Sequence, residues 1–167
     1  MLLKKYFLEQ LEREGVASRK AIEKVPEGQN GWKPHAKSME LGMLAALVAA
    51  MPGWIAMMVE SDELDLDGKG KSFRTKPAES RAELLTMLEK GLEASRKALE
   101  RTSEAHLMNP WRLVMGGQVL SEGPRYETIT NGAITHLAHH RGQLTVYLRM
   151  IEAKVPAIYG PSADEYA

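Results

Sequence analysis

The chain has no cysteine and no net charge of either sign. Without cysteine there can be no disulfide framework, no thiolate metal ligand and no cysteine nucleophile. The 22 Lys and Arg residues balance 22 Asp and Glu residues, so the formal net charge is zero. Binding to nucleic acid or to a membrane surface generally needs a basic excess, so neither partner is predicted. The absence of cysteine fits a reducing cytoplasm, which is the predicted location.

Long hydrophobic runs are also scarce, with one exception. The segment Leu41–Val59 carries no charge and approaches the length that spans a membrane. It contains the pair Pro52-Gly53 and several alanines, and no second segment resembles it. A central helix buried on nearly all sides explains this pattern better than a membrane span. The length of 167 residues predicts a single domain over residues 1–167.

Apolar residues recur at three- and four-residue steps in four segments, which predicts helices over about 2–25, 38–60, 78–102 and 124–153. Ser38 is the predicted N-cap of the second helix. The segment 61–80 predicts an exposed connection. Residues 112–120 hold Gly116-Gly117 between β-formers, which predicts a hairpin or an extended crossover. The predicted fold class is all-α, a four-helix bundle with a long crossover between helices three and four.

The most specific chemical feature is the pair His136 and His140, four residues apart on the fourth predicted helix. Side chains at that spacing lie on one helix face, where two imidazoles can bind one transition-metal ion. The pair shares its face with Ala133, Leu137 and Leu144, so it is predicted to face the core. The alternative is that neighbouring hydroxyls or carboxylates satisfy both imidazoles.

Several segments together resemble the DinB-like family. They include His136-Leu-Ala-His-His140-Arg-Gly-Gln143 with the following residues 144–149, and the tail Val155-Pro-Ala-Ile-Tyr-Gly-Pro. Residues 32–39 and 44–54 also resemble it, so the likeness spans nearly the whole chain in the family's order. The resemblance implies a four-helix bundle with a long crossover, often dimeric. It also implies a divalent metal, such as nickel or zinc, held by three histidines, two of which match His136 and His140.

The sequence departs from the family pattern at Leu47, where the helix-two histidine is expected. Leucine cannot donate to a metal, so nickel or zinc binding is expected to be weak or absent. Met43 and Met51 lie one turn to either side, but thioethers are poor ligands for these ions. His35 in the preceding loop is not expected to reach the site, and His106 lies in the crossover without a predicted position.

The resemblance to the family, together with leucine at position 47, leaves two possible functions. In the first, the protein is a metal-dependent enzyme of the hydrolase or thiol-transferase type with a degenerate metal site at His136 and His140. In the second, it is a non-catalytic small-molecule-binding or dimerisation module that has lost the metal. The apolar breadth of helix two predicts a homodimer. The tryptophans Trp32, Trp54 and Trp111 are interpreted as packing anchors.

Arg141 follows His140 directly and is expected to point away from the face that carries the histidine pair. The sequence predicts that it docks the tail by pairing with a carboxylate there, such as Asp164 or Glu165.

Overall fold

The structure is a computed structural model that describes residues 2–67 and 75–165. It is mostly helical, with a small sheet. The helices are α1 (Leu3–Ile22), α2 (Leu41–Ala50), α3 (Trp54–Glu60), α4 (Arg81–Arg101), α5 (Glu104–Met108), α6 (Arg125–Thr128) and α7 (His136–Met150). The strands are β1 (Glu63–Asp65), β2 (Pro110–Met115) and β3 (Gln118–Pro124).

All four predicted helical segments are present, but two of them are not continuous α-helices. A 3₁₀ turn, Met51–Gly53, separates α2 from α3, and a π-helical stretch, Ile129–Thr135, joins α6 to α7. The N-cap prediction was wrong: the second segment begins at Leu41, and its N-cap is Glu40, which makes no side-chain capping bond. The arrangement as a regular four-helix bundle with one crossover stays a prediction.

The all-α prediction holds only in part, because a three-stranded sheet packs beside the helices of this mostly helical chain. Strand order is β1-β2-β3, with β1 parallel to β2 and β2 antiparallel to β3. Strands β2 and β3 form a hairpin, one of the two alternatives predicted here, and Gly116 and Gly117 form its turn with φ of 56° and 84°. Positive φ at two successive positions favours glycine, which explains the Gly-Gly pair.

The prediction of an exposed connection over 61–80 was wrong for part of this segment, and residues 68–74 lie outside the described residues. Strand β1 forms here, because Glu63, Leu64 and Asp65 pair with β2. A three-residue strand has too little periodicity to be recognised from sequence alone. Its formation depends on a partner almost fifty residues later in the chain.

The 3₁₀ turn between α2 and α3 has an identifiable physical cause. Ser95 of α4 is fully buried, and its hydroxyl donates to the carbonyl of Pro52 at 2.6 Å and accepts from the amide of Ala56 at 3.0 Å. That amide and carbonyl would bond to each other in an uninterrupted α-helix. A hydroxyl inserted into the ladder breaks the helix without leaving either backbone group unpaired.

Two glycines allow the helices to approach closely enough for this insertion. A Cβ added at Gly91 would lie 2.9 Å from the backbone nitrogen of Gly53, and one added at Gly53 would lie 3.1 Å from the Cα of Gly91. Both contacts are with backbone, which cannot move aside as a flexible side chain could. The 3₁₀ turn and α4 therefore pack backbone against backbone at this point.

Arg125, at the start of α6, joins the end of α3 to α5 and to the segment that leads into β1. Its guanidinium is fully buried and donates to the carbonyls of Met58 at 2.7 Å, His106 at 2.9 Å and Ser61 at 3.1 Å, and to the Asp62 carboxylate. These partners belong to the end of α3, to α5 and to the chain leading into β1. One side chain thus satisfies free carbonyls at the end of one helix and in two neighbouring segments.

A buried ion pair between Arg141 and Glu14 corrects the predicted partner of Arg141. The sequence predicted a partner in the tail, Asp164 or Glu165, but Arg141 binds Glu14 and Ser18 of α1 and the hydroxyl of Tyr159. Asp164 instead accepts from Arg149 at 2.7 Å. The tail does dock near Arg141, as predicted, but it does so through Tyr159. Arg141 is only 1% exposed, so an acidic partner close to it is required.

The uncharged segment forms part of the core. Residues Leu41–Glu60 are apolar and long enough to cross a membrane, yet 67% of the hydrophobic window is buried inside the protein. This burial supports the interpretation as a core segment. It also removes the reason for predicting a homodimer from that face, so the homodimer stays a prediction without support from helix two.

We expect Gly91→Ala to destabilise the protein, although alanine is the better helix former. The gain in helix propensity is about 1 kcal/mol, and the clash with Gly53 forces a backbone shift that costs about 1–3 kcal/mol. The matched control is Gly142→Ala on α7, where an added Cβ meets nothing within 4 Å. Thermal melts should show a lower Tm for the first variant and a higher one for the second. An equal rise in both would refute the close approach.

Stability should fall in acid through Glu14. Burial opposes ionisation of its carboxyl, but hydrogen bonds from Tyr159 and Arg141 and the charge of Arg141 outweigh it, so the pKa of Glu14 lies below its usual 4.5. A lowered folded-state pKa gives stability that is present above pH 4.5 and is lost as pH falls through the folded value.

Glu14→Gln should remove that pH dependence and cost about 3–5 kcal/mol near neutral pH, because it leaves the Arg141 guanidinium buried without a counter-charge. Urea unfolding from pH 3 to 7 measures both effects. Glu12→Gln, which alters an exposed pair with Arg96, is the control and should cost about 1 kcal/mol or less. Similar losses in the two variants would contradict the assignment.

Candidate functional site: an apolar cavity beside two histidines

A cavity of about 510 Å³ lies between the helices and the sheet. Its helical wall, as we call it, comes from α2, α3 and the loop before α2. It consists of Met39, Met43, Leu47, Trp54, Met57 and Met58. Within α2 the neighbouring residues are buried, whereas Met43 and Leu47 are partly accessible because they face the cavity. Methionine is unbranched and polarisable, so a wall with four methionines can adapt to ligands of different shape.

One face of the sheet forms the opposite side, which we call the sheet wall: Leu64, Leu66, Trp111, Leu113 and Ser121. The strand register explains this set, because Leu64 pairs with Leu113 and Leu113 pairs with Ser121. Residues two apart on a strand point to the same face, which adds Leu66 and Trp111. The hairpin and β1 therefore close a space that the helices alone would leave open.

The third side is formed by the helical segment that carries the predicted ligands. Thr128, Gly132 and His136 line the cavity at four-residue intervals. The π-helical stretch between Thr128 and His136 changes the angular spacing of side chains from that of an α-helix, and such stretches often lie at functional sites. Gly132 leaves room for Met58, whose terminal methyl would lie 3.1 Å from an added Cβ.

The structure brings His136 and His140 together, as their spacing predicts. Their ring centroids are 4.6 Å apart, and His136 also makes an edge contact with Trp54 at 5.9 Å. Only His136 lines the cavity, because His140 lies one turn further along α7 and its Nδ1 is 2.8 Å from Oε1 of Gln143. The exposed His139 is adjacent, with its centroid 5.1 Å from that of His140.

Burial lowers the pKa of His140 below its ordinary 6.5, although the hydrogen bond with Gln143 opposes this effect, and repulsion from His136 and His139 adds to it. Positive charge on either neighbouring ring would disfavour protonation of His140, because like charges at this distance repel. A neutral imidazole is the form that can bind a metal ion or accept a hydrogen bond.

The residues present do not fit a three-histidine metal centre. Leu47 lines the same cavity as His136, so leucine occupies the facing helix where a third donor is expected. Over residues 2–67 and 75–165, no three His, Cys, Asp or Glu side chains are grouped closely enough to hold a metal ion. A stable protein site supplies three or four ligands, so two imidazoles alone make an incomplete one.

The other histidines do not supply the missing donor. Nδ1 of His35 accepts from the amide of Lys37 in the exposed loop before α2. His106 of α5 has its Nε2 2.8 Å from the carbonyl of Val59 and is engaged in the packing around Arg125. His35 was not expected to reach the site, and its local contact agrees with that prediction. His106, whose position was not predicted, lies on α5.

The chemistry of the cavity is apolar. Its described lining residues include no Asp, Glu, Lys or Arg, and the polar ones are Thr75, Ser121, Thr128 and His136. A charged group placed here would lose its hydration without meeting an opposite charge. A nucleophile beside a general base is also lacking among these lining residues. The described lining therefore offers a bound molecule apolar contact surface and a few hydrogen-bonding groups.

Comparison with known proteins identifies the family of this chain and structures that share its fold. The whole chain, residues 1–167, matches the DinB family. This chain belongs to the DinB family. Two solved structures share its fold: a DinB-like protein from Bacillus cereus ATCC 10987, with a TM-score of 0.70, and the DinB-like protein YjoA from Bacillus subtilis, with a TM-score of 0.66.

These DinB-like structures differ greatly from the present chain in sequence. The first is 19% identical and the second 18%, and each alignment covers 92% of this chain and 95% or 98% of the other. The uncharacterized protein YrdA from Bacillus subtilis (strain 168) is 53% identical over 34 residues, about a fifth of each chain. The likeness to the solved structures shows the fold alone, so function must be argued from the site.

Several lining residues escaped the sequence analysis. Trp54 and Trp111, interpreted as packing anchors, also line the cavity, and Leu64, Leu113 and Ser121 gave no functional signal. Apolar residues in a short strand look the same whether they face a core or a ligand. The four methionines of the helical wall were a usable signal, since methionine is frequent at adaptable binding surfaces.

Replacing Leu47 by His should raise nickel and zinc affinity by about tenfold or more, because it adds a third imidazole facing His136. Calorimetric titration with each metal measures the gain. The double variant Leu47→His with His136→Ala controls for binding by the new histidine alone and should lose the gain. Unchanged affinity in the single variant would mean that Leu47 is not opposite the histidine pair.

Proposed function

We propose that this DinB family member is a small-molecule-binding protein whose cavity takes an apolar, uncharged ligand. The observation that carries the proposal is the 510 Å³ cavity itself, which has leucine where a metal ligand is expected and no charged side chain among its described lining residues. Cavities of about 300–1,000 Å³ that bury most of a ligand against hydrophobic and aromatic side chains are typical of small-molecule sites.

The physical driving force is the removal of apolar surface from water. Each square ångström of apolar surface buried contributes about 25 cal/mol, so a ligand that fills the cavity gains several kcal/mol before the costs of association. Trp54 and Trp111 provide rigid surfaces, and the methionines adapt to the remaining contour. The ligand binds without chemical change in this proposal, because the described lining residues form no nucleophile–base pair.

Saturable binding of a neutral fluorescent probe, N-phenyl-1-naphthylamine, tests the proposal. We expect one probe per chain, and Leu47→Trp should weaken binding by at least about tenfold because the indole fills the cavity. Val146→Trp adds the same side chain on the exposed face of α7, where Val146 is 57% exposed, and should leave probe affinity unchanged. Absent or non-saturable binding, or equal effects of the two variants, would refute the proposal.

A second candidate retains the metal-dependent enzyme of the hydrolase or thiol-transferase type. It is supported by the 4.6 Å separation of the rings of His136 and His140, which lets both imidazoles approach one ion. Elemental analysis of untagged protein, with His140→Ala as the control, separates the candidates. About one nickel or zinc per chain, lost in the control, would favour the metalloenzyme, and metal-free protein in both samples would count against it.

A further inference from the structure

His136 is the one imidazole among the described cavity-lining residues, and it stands in an otherwise mostly apolar surface. Neither of its ring nitrogens has a hydrogen-bond partner within the described residues, whereas Nδ1 of His140, one turn away, bonds to Gln143. His136 also makes an edge-on ring contact with Trp54. A neutral imidazole carries one donor and one acceptor, so its hydrogen-bonding capacity is available to a bound molecule.

A second unsatisfied group belongs to the same cavity lining. Trp111 is 3% exposed, and its indole N–H is buried with no acceptor among residues 2–67 and 75–165. An unpaired buried donor carries a free-energy cost. Because this nitrogen is not accessible from the cavity, His136 rather than Trp111 is the group that a ligand can reach, and a pure hydrocarbon would leave His136 unsatisfied.

The charge of the lining limits what this polar group can be. No Lys or Arg lies among the described lining residues, so a carboxylate or phosphate would be desolvated without a counter-charge. An ammonium group would meet no Asp or Glu there either. A hydroxyl or carbonyl oxygen needs only a hydrogen bond, which His136 can supply.

We propose that the ligand is a neutral amphipathic molecule, with an apolar body against the helical wall and one hydroxyl or carbonyl group oriented by His136. This inference rests on the proposed function. The helical wall selects for hydrophobic bulk, and the imidazole selects for the position of the oxygen. The residue predicted as a metal ligand thus serves as the polar anchor of a ligand site.

Three ligands of matched shape test the proposal: heptylbenzene, 6-phenylhexan-1-ol and 6-phenylhexanoate, each measured at pH 8 by displacement of N-phenyl-1-naphthylamine. His136→Phe keeps a ring of similar size and removes the hydrogen bond. It should weaken binding of the alcohol by about tenfold and leave heptylbenzene unchanged or tighter. His139→Phe, an exposed change outside the cavity, should alter neither affinity.

In the unmodified protein the alcohol should bind more tightly than the carboxylate. His136→Asn retains hydrogen-bonding groups and should recover part of the alcohol affinity. If His136→Phe does not fold, the alcohol–carboxylate comparison and His136→Asn still decide the question, since a carboxylate that binds as well as the alcohol overturns the proposal.

The failures of the two proposals are distinguishable. If none of the three molecules displaces the probe, the cavity does not bind small apolar ligands, and the proposed function fails together with this inference. If all three displace it and His136→Phe weakens the alcohol and the hydrocarbon equally, the cavity binds ligands but His136 does not orient them. Only the inference about the polar group is then overturned.

Discussion

The hydroxyl of Ser95, inserted between the carbonyl of Pro52 and the amide of Ala56, is the contact on which the cavity depends. It interrupts the apolar helical segment where Gly53 meets Gly91 and so fixes how α3 continues from α2. Met43 and Leu47 precede this interruption, and Trp54, Met57 and Met58 follow it, yet all five share one wall. A continuous helix would set a different relation between the two halves. The shape of the site is therefore decided inside the core, at a residue that is not among the described lining residues of the cavity.

A second constraint holds the sheet against these helices. The buried Arg125 guanidinium satisfies the carbonyls of Met58, Ser61 and His106, which joins the end of α3 to the segments that lead into the strands. Without it, these carbonyls would need water in a buried position. The sheet wall, with Leu64, Leu113 and Ser121 in register, then lies across the cavity from the methionines. Charged residues thus stabilise the frame, while the cavity that they enclose remains uncharged along its described lining.

Membership of the DinB family fixes the scaffold but leaves the chemistry to the residues at the site. Here Leu47 occupies the wall that faces His136, so an apolar surface stands where a third imidazole would be needed for a metal centre. One substitution of this kind can convert a polar centre into an apolar binding site, because desolvation that favours a hydrocarbon disfavours an ion. Neither ring nitrogen of His136 has a hydrogen-bond partner among the described residues. His136 can therefore orient the polar group of a bound ligand.

The sequence by itself determined the four helical segments, the turn residues Gly116-Gly117 and the closeness of His136 to His140, because these depend on local periodicity, turn chemistry and spacing. The family followed from the resemblance of several motifs taken together. The sequence left the sheet, the break at Ser95 and the buried partner of Arg141 undetermined. Glu14 lies more than a hundred residues before Arg141, and β1 forms only against β2, so tertiary packing chose these partners. Tertiary packing also formed the cavity. From sequence alone, its leucines, methionines and tryptophans predict a buried core, and they become a binding site only because two walls enclose an open space.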